Sequence, residues 1–121
     1  MSTEYGKKFK QVIARLRENC PTDVPVQVRV RCLRKHKLYG SCTTYRDNAG
    51  HLSKAVIDIT KGLDVSTAID TLLHEWAHVL DIEKNGPSRE EHRNSWGIAY
   101  ARVWRAYLNV VESDSRSATL E

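Results

Sequence analysis

The spacing of apolar residues switches twice along this chain, from helical to strand-like and back, and that pattern constrains the fold more than any other feature. Tyr5, Phe9, Val12, Ile13 and Leu16 recur at helical spacing and predict an amphipathic helix over residues 4–18, which Cys20-Pro21-Thr22-Asp23 stops. From Pro25 the period becomes two. Val26, Val28, Val30 and Cys32 fall on one face and Gln27, Arg29 and Arg31 on the other, as in a half-buried strand. A turn around Lys37 to Gly40 leads to a second strand near residues 41–46, and Asp47-Asn48-Ala49-Gly50 marks another turn. Residues 55–60 read as a third strand, closed by Lys61-Gly62. Three strands joined by short turns predict an antiparallel meander.

The helical period then returns. Asp64 or Ser66 can cap a second helix running to about Glu83, ended by Asn85-Gly86-Pro87. A third helix is expected from near Ser88, with Glu90 and Glu91 in its first turn and an apolar stripe of Trp96, Ala99, Tyr100, Val103, Trp104, Tyr107 and Val111. Ser113 to Glu121 is polar and aperiodic. The expectation is one α+β domain over residues 1–112 with a flexible tail over 113–121: an N-terminal helix, a three-stranded antiparallel sheet and two further helices, the last one long.

At 121 residues and 40% hydrophobic content, the chain is large enough to bury a core without disulfides, and collagen-like, low-complexity and disordered classes are excluded. No apolar run exceeds four residues and the start lacks the apolar stretch of a signal peptide, so neither a membrane span nor secretion is expected. Three cysteines, an odd number at spacings unlike a zinc ribbon, fit a reduced intracellular compartment, and a cytoplasmic monomer is the expectation. Charge is uneven: residues 1–61 hold 13 Lys+Arg against 5 Asp+Glu, and residues 62–121 hold 6 against 10. Arg29, Arg31, Arg34, Lys35 and Lys37 form the densest basic segment. They are candidates for phosphate contacts with a nucleic acid, or for a guard of charges along a strand edge. Cys32, His36 and Cys42 can be drawn as a second metal site, though cysteines buried on paired strands are the simpler expectation.

His74-Glu75-Trp76-Ala77-His78 matches the His-Glu-x-x-His pattern, whose chance occurrence in a chain of this composition is on the order of 1%. Helix residues four apart share a face, so both imidazoles can reach one Zn2+, and Glu75 stands beside them as a general base rather than a ligand. On the same wheel Ile69, Leu73, Trp76 and Leu80 form the core stripe, while Asp70, His74, His78 and Asp81 line the other side. Asp70 and Asp81, one turn from the histidines, are candidates to accept their second ring N–H, or are plain surface charges. A catalytic zinc takes a third protein ligand. The metzincin pattern is excluded, because it calls for a glycine and a histidine where this chain has Asp81 and Lys84. His92, fourteen residues after His78 and one turn before Trp96, is the favoured third ligand, with Glu90 and Glu91 as carboxylate alternatives. Tyr45, Arg93 and Tyr100 are candidate oxyanion donors.

Over residues 66–108 the chain resembles the SprT-like metalloproteases, which include the Spartan proteases of DNA–protein crosslinks. The resemblance rests on the His-Glu-x-x-His helix, the short loop, and His92 followed four positions later by the aromatic Trp96. Arg93 stands where that family carries Gly, and the zinc ribbon of many members is absent. The resemblance implies a zincin-like fold in minimal form, similar to stand-alone phage and prophage versions. It also implies His92 as third zinc ligand, a zinc-dependent endopeptidase activity on protein or peptide substrates, and association with DNA. Two other readings stay open. One is a nucleic-acid-binding or regulatory module with structural zinc, for which Glu75 has no evident use. The other is a repressor-cleaving protease of the ImmA/IrrE type with Glu91 as ligand.

Overall fold

A computed structural model describes residues 5–33, 39–87 and 92–120, with side chains through Val111. The elements are α1 (Gly6–Asn19), β1 (Val26–Arg31), β2 (Gly40–Arg46), β3 (Leu52–Thr60), α2 (Val65–Asn85) and α3 (Asn94–Leu120). The architecture is mixed α+β, three helices with one three-stranded sheet. Among the described residues, no helix is long and apolar enough to cross a membrane.

The sheet is not the antiparallel meander expected from the turns. Its order is β1-β3-β2, with β1 parallel to β3 from Val26↔Ala55 to Arg31↔Thr60, and β2 antiparallel to β3 from Gly40↔Ile59 to Arg46↔Leu52. The reason lies in β3 itself. Ala55, Ile57 and Ile59 are buried against the helices while Val56, Asp58 and Thr60 are buried on the other face, and a strand buried on both faces belongs in the middle. The described ends of the β1–β2 connection flank the end of β3, where Lys61 N donates to Arg31 O (2.9 Å), Thr60 N to Tyr39 O (2.8 Å) and Leu33 N to Thr60 Oγ1 (3.1 Å). The β2–β3 turn is as expected: Asp47 Oδ1 accepts from Ala49 N and His51 N, both at 2.9 Å, and Gly50 takes a positive φ.

α1 buries Phe9, Val12 and Leu16 on one face of the core. The Tyr5 hydroxyl donates to the Thr60 carbonyl and accepts from Leu63 N at 3.1 Å, locking the approach to α1 onto the corner between β3 and α2. Asp64 caps α2, accepting from Thr67 N (3.2 Å) and Thr67 Oγ1 (2.6 Å), and these bonds hold its carboxyl below the ordinary value. Gly86, at φ 74°, closes the helix. Ile69, Leu73 and Trp76 are buried as expected, with Leu80 partly buried. Trp76 Nε1 donates to Cys20 O at 3.0 Å. Two closely packed neighbours hold α2 in place. α3 packs Val103, Ala106 and Val110 into the core, and β2 comes so near that a Cβ on Gly40 would lie 2.5 Å from Thr71 Cγ2.

α3 begins at Asn94 rather than near Ser88. His92 and Arg93 form the turn before it, and the expected first-turn residues Glu90 and Glu91 lie outside the described residues. At its other end the α3 backbone runs on to Leu120, through the polar segment read as a tail. Cys20 is buried but Cys32 is exposed, so the expectation of buried cysteines fails for Cys32, which follows the last paired residue of β1; His36 lies outside the described residues.

Candidate metal centre

One turn of α2 separates His74 from His78, and the turn ahead of α3 delivers His92 to the same point. His74 Nε2 lies 3.3 Å from His78 Nε2 and 3.1 Å from His92 Nε2, and one ligand atom from each residue falls within 4.8 Å of the other two. A ring nitrogen offers either one N–H or one lone pair, so His74 Nε2 cannot satisfy two imidazoles at once. Three lone pairs directed at one cation resolve that conflict. Tetrahedral ligands with metal–nitrogen bonds near 2.0–2.1 Å stand about 3.3 Å apart, and the two separations from His74 Nε2 match the spacing of a zinc-like ion's ligands. Among the described residues this is the group able to hold a metal.

An aromatic wall backs the imidazoles. The Trp96 ring centroid lies 4.9 Å from His74, 5.4 Å from His78 and 4.5 Å from His92, and Tyr100 stacks on Trp96 at 5.0 Å with planes 10° apart. Trp96 reaches this position because it sits in the first turn of α3, partly buried against the core. Glu75 is 8% exposed, whereas His74 and His78 are half-buried. It faces the β2 side of α2: burial and the nearby Glu75 charge together push the Cys42 thiol up to about 12.

The two carboxylates singled out beside the histidines have definite partners. Asp70 Oδ1 accepts from the Tyr100 hydroxyl at 2.9 Å, and burial together with that bond to Asp70 raises the phenol to about 12, so Tyr100 stays protonated beside His74. Asp81, placed by the helical wheel on the outer side, is 4% exposed. It accepts from Arg93 Nε at 2.9 Å and Asn85 Nδ2 at 3.0 Å. Of the oxyanion candidates, Arg93 is thus committed to Asp81, Tyr45 lies exposed beneath Lys54 Nζ at 4.7 Å, and Tyr100 flanks the imidazoles. Neither the Tyr100–Asp70 bond nor the Arg93–Asp81 pair is legible in the sequence, since their separations of 30 and 12 residues follow no helical or strand period.

The basic segment is only partly described. Arg29 grips Asp58 with two bonds of 2.8 and 3.0 Å on the sheet face away from the helices, so its charge is locally balanced. Arg31 is exposed at the end of β1, which is a sheet edge; Arg34, Lys35 and Lys37 lie outside the described residues.

No family model matches the chain, and neither a curated protein nor a solved structure does.

Proposed function

We propose that this protein is a zinc-dependent endopeptidase of the SprT-like kind with a zincin-like fold, in which His74, His78 and His92 hold the metal and Glu75 is the general base. The observation that carries the reading is the meeting of three Nε2 atoms, two from a His-Glu-x-x-His helix, beside a buried glutamate. Zinc in such a site lowers the pKa of water toward about 7 and polarises a peptide carbonyl. Glu75 takes a proton from the attacking water on its carboxylate and returns it to the leaving amine nitrogen as the C–N bond breaks. Trp96 shields one side of the imidazoles from solvent. The Tyr100 hydroxyl flanks the imidazoles and would serve a developing oxyanion by turning its one proton from Asp70 toward it. β2 is the sheet edge on the α2 flank, so an extended substrate can add to it as a further strand. Arg31 with Arg34, Lys35 and Lys37 would direct the enzyme to DNA-bound substrates.

Elemental analysis and casein cleavage, with and without single-stranded DNA, test this directly. The wild type is expected to hold one zinc and cleave, His74→Ala and His92→Ala to lose zinc, and Glu75→Gln to keep zinc while cleaving at least ~100-fold more slowly. Zinc retained without His92 shifts the third ligand to Glu91, as in the ImmA/IrrE-type alternative. A wild type with zinc whose slow or absent cleavage is unchanged by Glu75→Gln makes the site structural.

A further inference from the structure

His92 is the least supported of the three histidines. It is exposed and belongs to no helix, whereas His74 and His78 ride on the buried α2. A third ligand held so loosely would be a poor one, because ligand geometry depends on the groups that brace it. Its neighbour Arg93, however, is fixed at both ends. The Arg93 carbonyl accepts from Trp96 N at 3.0 Å and Gly97 N at 3.2 Å, which starts α3. The side chain turns back to α2, Nε donating to Asp81 Oδ2 at 2.9 Å and Nη2 to the Gly86 carbonyl. Asp81 also accepts from Asn85 at the end of α2 and from Ser95 at the start of α3. A single buried carboxylate thus collects donors from both helices and from the turn between them.

We infer that Arg93, through its buried pair with Asp81, is the positioning residue for His92, clamping the turn so that the third imidazole meets the two on α2. This rests on the reading of the three histidines as a metal site. A forked guanidinium suits the task, since two bonds in one plane fix orientation as well as distance. Arg93 touches neither metal nor substrate in this role.

The test uses the full chain and Co2+ as the probe, titrated in competition with a chelator, with the visible absorption of bound Co2+ reporting the ligand set. Arg93→Ala is expected to bind Co2+ about 10 to 100-fold more weakly than the wild type and to show the altered spectrum of His92→Ala, while Arg93→Lys recovers part of the loss. Because the clamp acts through His92, the double variant His92→Ala/Arg93→Ala should bind no more weakly than His92→Ala alone. Arg93→Ala leaves a buried carboxylate without its cation. Asp81→Asn/Arg93→Gln, which leaves no uncompensated charge, therefore serves as a second variant and should show the same loss of affinity. Wild-type Co2+ affinity in these variants, or a loss that persists in the His92→Ala background, overturns the clamp and leaves the metal site standing. Absence of Co2+ uptake by the wild type overturns the metal site itself and the clamp with it.

Discussion

Gly40 lies where β2 passes close to the helix that carries His74 and Glu75, and replacing it with alanine tests that approach. The new Cβ would lie 2.5 Å from Thr71 Cγ2 and 3.0 Å from the Asp58 carbonyl oxygen, so something must move. Thr71 cannot simply rotate: its Oγ1 donates to Thr67 O at 2.8 Å, and a β-branched side chain in a helix has few rotamers to choose from. Overpacking of this kind costs about 1–3 kcal/mol. With an unfolding entropy of about 2.1 cal/mol/K per residue, a chain of 121 residues changes Tm by about 4 °C per kcal/mol, so Gly40→Ala should melt about 4–12 °C below the wild type. Thr71→Ser removes the obstructing methyl and keeps the hydroxyl. In its background the cost of Gly40→Ala should shrink to less than half, leaving the milder approach to Asp58. Calorimetry on the four proteins of the cycle decides the matter. A Gly40→Ala protein that melts with the wild type, or a cost that Thr71→Ser leaves unchanged, would refute the claimed closeness of β2 to α2.

Burial alone would raise the Asp81 carboxyl, but hydrogen bonds from Ser95, Arg93 and Asn85 outweigh it and hold the group below its ordinary value. Its contribution to stability is therefore full above an unfolded pKa of about 3.9 and is lost as pH falls through the lower folded value. Asp81→Asn should be less stable at neutral pH and, between about pH 5 and pH 2, lose less stability than the wild type; parallel denaturant midpoints across that range would contradict this. The three thiols should separate in a disulfide-exchange assay at about pH 8: exposed Cys32 reacts first, while Cys20, buried and raised by that burial, and Cys42, pushed up to about 12, lag well behind. Glu75→Gln should quicken Cys42 alone, and an unchanged rate would place Glu75 elsewhere.

The helices and the histidine pair are readable because their signals are local. Four-residue spacing puts His74 and His78 on one face whatever surrounds them, and Asp64 and Gly86 bracket α2 by backbone chemistry alone. His92 is reachable from its spacing to Trp96, although it precedes the third helix rather than riding on it. The sheet order escapes a reading that pairs neighbouring strands in chain order. The warning lies in Val56, Ile57 and Ile59, apolar at both parities, which is the pattern of a strand covered on both sides. Asp81 falls on the surface side of a helical wheel because a wheel knows nothing of a partner twelve residues away. Its burial is possible because Arg93 arrives from outside the helix to neutralise it.

β3 sits between a near neighbour in the sequence and a distant one. Its ladder with β2 closes over the short turn at Asp47 to His51, while its ladder with β1 joins Val26 to Ala55. Closing the longer loop costs more chain entropy than closing the β2–β3 hairpin. β2, β3, α2 and the start of α3 follow one another along the chain, and they carry Cys42, Glu75 and, with the turn between the two helices, all three imidazoles. The part that holds the histidines is thus built from sequence neighbours, whereas β1 reaches β3 across the longer separation.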